Sequence, residues 1–223
     1  MERDIMPQFN KQLERFQPSP INTVFSLAAR LRDEGKDIVD LSIGEPDFDT
    51  PEHIKQAAIT AIETDQTKYT PSDGEKNLKQ AVINKFKRDN NLTYTLEQVA
   101  IDSGVKPLLF HVLKTLLDEG NEVIVPTPCW TSYPGMVMLA GGEPVFVPCP
   151  QDKGFKLQAA DLDAAINENT RLVMLNSPSN PTGAAYSVEE MKALTDVLLK
   201  HPHVWILADD IYEHIVFDNF VNA

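Results

Sequence analysis

The sequence predicts an α/β fold: a mostly parallel sheet with helices on both faces, preceded by an N-terminal segment of different character. Three observations predict it. From Val99 onward, short and continuously apolar runs alternate with helical patterns. Runs of that kind are strands buried on both faces, as parallel sheets require. Polar and turn-forming residues collect just after the runs, where α/β sheets place their ligands. Finally, 223 residues with 42% hydrophobic content suffice for a packed core, so the chain is not a disordered one.

The elements follow in order. Residues 22–34 read as a helix, with Val24, Leu27, Ala28 and Leu31 spaced three and four apart on one face. Gly35 ends it, residues 38–43 read as a short strand, and Gly44-Glu45-Pro46-Asp47 is turn chemistry. The chain changes character near Asp49, which separates segment 1–49 from segment 50–223. Thr50-Pro51-Glu52 opens the next helix with a hydroxyl cap, a proline at the first helical position and an acid in the first turn. That helix runs to 63, and another covers 75–88. Strands at 99–101, 122–125, 144–147, 172–175 and 204–208 then alternate with helices at 106–117, 132–140, 160–166 and 188–200. Pro107 falls in a first helical turn, where its missing N–H costs little.

Charge and cysteines narrow the function. The net charge of −13 argues against nucleic acid and anionic membrane, both polyanions. Cys129 and Cys149 lack metal-site or redox spacing, so no metal is expected and packing is the favoured role of Cys129. Met1-Glu2-Arg3-Asp4 is charged with no apolar stretch behind it, so no secretory signal is expected. No apolar run approaches the ~20 residues of a membrane helix. A cytoplasmic location is expected.

Five features stand in order on successive strand ends. Ser103-Gly104-Val105-Lys106 ends a strand and opens a helix, an arrangement suited to an anion and equally to an ordinary βα turn. Trp130 follows the next strand and suits either stacking on a flat ring or core packing. In Asn176-Ser177-Pro178-Ser179-Asn180-Pro181-Thr182-Gly183 the prolines and glycine force turns, so the Asn180 amide either faces the crevice or closes an Asx-turn. Asn176 and Ser177 add polar groups at the same strand end. Asp209 follows an apolar run, so its carboxylate needs a partner; a protonated ring nitrogen would serve. Tyr212, three residues on, could donate to an oxygen on the same ring; a helix N-cap at Asp209 or Asp210 is the competing reading. Each feature alone has a bland explanation, but one explanation must cover all five.

The set resembles the fold type I, class I aminotransferases, which use pyridoxal phosphate, and among them the bacterial aspartate aminotransferase branch. The resemblance spans nearly the whole chain. It is carried by Leu41-Ser42-Ile43-Gly44-Glu45-Pro46-Asp47-Phe48, Lys68-Tyr69-Thr70-Pro71-Ser72-Asp73-Gly74, Pro128-Cys129-Trp130-Thr131-Ser132-Tyr133-Pro134, the Asn176–Gly183 run and Asp209-Asp210-Ile211-Tyr212. It implies that Gly104, Val105 and Lys106 hold the cofactor phosphate and that Trp130 stacks on the pyridine. Asn180 and Tyr212 would contact the phenolic oxygen and Asp209 the ring nitrogen. Gly44 would meet the substrate carboxylate through its backbone, with Trp130 and Asn180 also lining the substrate site. Tyr69 would reach the phosphate of a neighbouring subunit, which implies a homodimer. Segment 1–49 would belong to a small domain and 50–223 to the cofactor-binding large domain. Val105 departs from the small residue usual in the phosphate loop, which backbone contacts would tolerate.

The implied reaction is transamination between an amino acid, aspartate by branch resemblance, and a 2-oxo acid such as 2-oxoglutarate. Aromatic amino acids, alanine and prephenate as acceptor are alternatives. The family's Schiff-base lysine lies beyond the residue matching Asp209, and no lysine follows Asp209 here. The expectation is therefore an incomplete large domain, inactive by itself, whose strand ending at Asp102 lacks a neighbour and which folds poorly or aggregates. Two other readings compete: a non-catalytic fragment that binds pyridoxal phosphate or pairs with another subunit, and, ranked below both, a lyase of the same fold.

Overall fold

The structure is a computed structural model and describes residues 12–15, 20–39, 41, 44–218, 220, 221 and 223. In chain order the helices are α1 (Gln12–Arg15), α2 (Pro20–Asp33), α3 (Glu52–Glu63), α4 (Lys76–Asp89), α5 (Val105–Leu116), α6 (Ser132–Ala140), α7 (Ala159–Ala165) and α8 (Val188–Leu198). The strands are β1 (Glu122–Thr127), β2 (Glu143–Pro148), β3 (Thr170–Asn176) and β4 (Trp205–Asp209). Two compact units result: Pro20–Leu108, and the rest of the chain.

The larger unit is the predicted α/β layer structure. Its four strands lie in the order β2-β1-β3-β4, and every pairing is parallel. Alternation along each strand separates two cores. Val123, Val125, Leu172, Met174 and Leu207 face Leu109 and Leu113 of α5 and Met136, Val137 and Ala140 of α6. Ile124, Val173 and Leu175 face Leu162 of α7 and Leu194, Val197 and Leu198 of α8. Leu113, Val123, Ile124, Val125, Leu162 and Val173 are fully buried. The central strands β1 and β3 thus have no solvent face, which is why they read as unbroken apolar runs, while the edge strands β2 and β4 leave Phe146, Trp205 and Ile206 half-exposed. Helix α8 starts at a capping box: the Ser187 hydroxyl accepts the Glu190 N–H, and Glu190 accepts the Ser187 N–H. Helix α6 ends at Gly141, whose φ of 107° is the left-handed stop that a Cβ would oppose.

The smaller unit contains α2, α3, α4 and a short 3-10 turn at Leu96–Gln98. Ala28 and Ile83 are its buried apolar residues, and the buried Lys79 amine pairs with Asp73. Two expectations need correcting here. Residues 99–101 are assigned to no strand, although Val99 has extended dihedrals (φ −120°, ψ 128°). Their backbone engages the Asp73 turn instead, where Ile101 N–H donates to Asp73 O at 3.0 Å. No strand among the described residues lies beside them to complete a ladder. Residues 38, 39 and 41 likewise form no strand, while 40, 42 and 43 lie outside the described residues. A smaller correction concerns α3. Pro51, not Thr50, occupies the cap position and has no side-chain oxygen to offer, while its carbonyl receives the Ile54 and Lys55 N–H groups.

Candidate functional site

The C-terminal ends of β3 and β4 carry the polar cluster. Asn176 and Asp209 are the last residues of their strands and are paired in register. The Asn176 amide Nδ2 donates to the Asp209 carbonyl at 2.7 Å, and its Oδ1 accepts the Asn180 N–H at 2.8 Å. One side chain therefore spans the two strand ends and the turn that follows. The Ser177 hydroxyl accepts the Tyr186 N–H at 3.1 Å, which folds the loop back on its own strand. Gly183 has φ 70°, a conformation few other residues adopt, and its N–H donates to Ser179 O at 2.8 Å.

Asp209 is buried, with 8% exposure, and its partner is Tyr133. The Tyr133 hydroxyl donates to Asp209 Oδ2 at 2.6 Å, the short length of an O–H bonded to a carboxylate. Burial, then the hydrogen bond to Asp209, pushes the Tyr133 phenol well above its ordinary range, so it remains a donor at any physiological pH. The second oxygen, Oδ1, receives only a long 3.4 Å contact from the Ile211 N–H. Residues 211–214 form turns and no helix, so Asp209 is not a helix cap.

Trp130 is half-buried and meets Tyr133 edge to face, ring centroids 5.4 Å apart and planes at 88°. The Tyr133 N–H donates to Trp130 O at 3.1 Å, so both rings spring from one turn at the start of α6. The Asn180 side-chain amide and the half-buried Tyr212 hydroxyl have no hydrogen-bond partner among the described residues. Asn180 also borders a cavity of about 30 Å³, lined in part by Cys129, Tyr133, Met174, Asn176 and Tyr186. It has room for about one or two waters. Cys129 is half-buried, and burial pushes its thiol up, as for a packing residue.

Of the residues singled out in the sequence, Trp130, Asn180, Asp209 and Tyr212 thus lie in the larger unit, the first three joined through Tyr133 and Asn176. Gly44, Tyr69, Gly104, Val105 and Lys106 belong to the smaller unit. Gly44 is exposed and Tyr69 fully so. Gly104 has φ 101°, and no atom would lie within 4 Å of a Cβ placed on it, so its conformation and not crowding calls for glycine. Asp102 takes two N–H groups of this turn: Ser103 N–H on its carboxylate at 2.7 Å and Gly104 N–H on its carbonyl at 2.8 Å. Val105 and Lys106 then open α5. Among the described residues no cluster of three or more His, Cys, Asp or Glu could hold a metal, and no helix is long and apolar enough to cross a membrane.

A buried acid, an amide and a phenol thus gather at adjoining strand ends of a parallel α/β sheet, the edge where sheets of this class place their ligands. The sequence profile of the aminotransferase class I and II family matches residues 36–223, and the chain belongs to that family. Aspartate aminotransferase of Rhizobium meliloti is 51% identical over 202 residues, covering 91% of this chain and 49% of the relative. Aspartate/prephenate aminotransferase of Cereibacter sphaeroides is 50% identical over 208 residues, covering 93% and 52%. The crystal structure of the Rhizobium meliloti aspartate aminotransferase superposes with a TM-score of 0.93 at 49% identity, over 96% of this chain and 54% of that one. That of the Thermus thermophilus aspartate aminotransferase with maleate also gives 0.93, at 39% identity, over 98% and 57%. The chain spans about half the length of the curated relatives it matches.

Proposed function

We propose that the protein takes part in pyridoxal-phosphate-dependent transamination between an amino acid, aspartate first, and a 2-oxo acid such as 2-oxoglutarate. The observation that carries this reading is Asp209: an acid buried at a strand end, held by Tyr133, with one oxygen only weakly engaged. Such a group suits a protonated heterocyclic nitrogen, since a buried carboxylate is stable only when paired. Asn180 and Tyr212 supply two uncommitted donors for an oxygen on the same ring. The residues present therefore fit pyridoxal phosphate.

When bound, the cofactor supplies a conjugated ring that accepts charge developing at the substrate α-carbon. On this reading Asp209 keeps the ring nitrogen protonated, and Asn180 and Tyr212 fix the ring oxygen. Trp130 offers its indole as a stacking face. Gly104, Val105 and Lys106 hold the phosphate at the start of α5, supported by the helix dipole and the lysine charge. Gly44 meets the substrate carboxylate through its backbone. The full exposure of Tyr69 supports a role across a homodimer interface, at the phosphate of the second copy. Residues 1–49 are assigned to a small domain and 50–223 to the cofactor-binding domain, in a cytoplasmic enzyme.

The test is turnover by the full-length protein with pyridoxal phosphate, aspartate and 2-oxoglutarate, read as oxaloacetate formed, with prephenate as acceptor in a parallel assay. Glutamate and oxaloacetate are expected in equal amounts. Cofactor binding without amino transfer to any acceptor would leave a binding module, and release of product without an acceptor would indicate a lyase.

A further inference from the structure

We infer that Tyr133 is a positioning residue for the acid: it holds the Asp209 carboxylate in one orientation before a ligand nitrogen arrives. The inference rests on the reading of Asp209 as partner of a ring nitrogen. Three observations carry it. The Tyr133–Asp209 contact joins residues 76 apart in sequence and is a side-chain pair closed to solvent. Tyr133 is 4% exposed and wedged by the Trp130 edge and the α6 backbone, so its hydroxyl cannot swing to another partner. Asp209 has just one strong side-chain donor among the described residues, because its other oxygen has only the 3.4 Å contact to Ile211.

The physical consequence is preorganisation. A buried carboxylate without a donor is free to rotate, and a cationic ligand must then fix it at an entropic cost. Tyr133 avoids this by engaging Oδ2 alone, which leaves Oδ1 to face the ligand. A role confined to fastening α6 to β4 would make no such distinction between ligands with and without a ring nitrogen.

The experiment measures dissociation constants of the full-length protein for pyridoxal phosphate and for its 1-deaza analogue, whose ring nitrogen is replaced by C–H. Tyr133→Phe is expected to weaken pyridoxal phosphate about tenfold, the scale of a hydrogen bond to a charged group. Binding of the deaza analogue should stay within about twofold, which also shows that the variant is folded. In an Asp209→Ala background, Tyr133→Phe should have no further effect on either compound. Equal losses for both compounds, or an undiminished loss without Asp209, would overturn the inference and leave Tyr133 a packing residue. A parent protein that binds neither compound would overturn the cofactor reading, and this inference with it. A parent that binds both equally well would refute the Asp209–nitrogen pairing, and this inference with it, while leaving the cofactor reading in place.

Discussion

The side chain of Asn176 donates to the backbone carbonyl of Asp209 across the β3–β4 boundary at 2.7 Å, where the two residues are already register partners. The same amide accepts the Asn180 N–H at 2.8 Å, so the acid and the amide of the candidate site are tied to a single side chain.

Removing that side chain leaves two backbone groups unpaired in a half-buried setting. Asn176→Ala should lower unfolding free energy by about 2 kcal/mol, since an unsatisfied group costs about 1–3 kcal/mol and water recovers part of it. Asn176→Asp, which retains an acceptor for Asn180 and loses the donor to Asp209, should lose less. Urea unfolding of the three proteins at one pH checks the order.

Gly74 offers a steric test. Its φ is 105°, and a Cβ there would lie 2.6 Å from Ile101 Cβ and 2.7 Å from Cγ1. Ile101 cannot simply move away, because its N–H is bonded to Asp73 O. Gly74→Ala should cost about 2–3 kcal/mol through strain and displacement together. A thermal midpoint unchanged from the parent would contradict this.

Acid should weaken the α8 cap. Glu190 feels burial, which raises its carboxyl, but the Lys156 bond, the Ser187 N–H and the Lys156 charge together hold it below the ordinary carboxylate value. Both Glu190 oxygens lie 2.8 Å from the Lys156 amine. A carboxyl lowered in the folded state stabilises the fold above its unfolded pKa, and this is lost as pH falls through the folded one. Glu190→Gln should therefore be less stable than the parent at neutral pH, with the gap closing in the acid range. Parallel urea midpoints at both ends of that range decide it.

Alkali should act on Tyr186. The buried phenol accepts the Leu157 N–H at 2.8 Å, and burial pushes its pKa up to about 12 from a reference of 10.0. Its contribution is complete below the unfolded pKa and is lost as pH rises through the folded value. Tyr186→Phe should cost about 1–3 kcal/mol at neutral pH by stranding the Leu157 N–H. The variant should also lose stability less steeply than the parent in alkali, measured by denaturant titrations at successive pH values.

How much of this was legible in the sequence depended on how local each signal was. β1, β2, β3 and β4 were legible because each is an apolar run closed by turn residues, and the helices between them kept their 3.6-residue period. α6 fell on 132–140 as expected. Residues 38, 39, 41 and 99–101 carry the same local signal, but a strand exists only with a neighbour to share its hydrogen bonds, and composition does not supply one. The Thr50 cap failed for a related reason: Pro51, which has no side-chain oxygen, takes the cap position of α3 instead. Within the site, the need of Asp209 for a partner was readable from the apolar run before it. The partner was not, because Tyr133 lies 76 residues away and looked like part of a motif centred on Trp130. Asn176 was visible as a further polar group at a strand end, and its bridging role depends on a register that no single strand specifies.

The separation of the two apolar cores has one further consequence. Leu172 and Met174 line the core beneath α5 and α6, while Val173 and Leu175 line the other. By the same two-residue count Asn176 falls with Met174, and Asp209 with Leu207, on the side where Tyr133 waits. The chemistry is therefore placed by parity. A single residue inserted or deleted within β3 would exchange the linings of both cores and, in the same stroke, turn Asn176 away from Asp209. A change of length within β3 or β4 keeps the chemistry on its own face only when it comes in even steps.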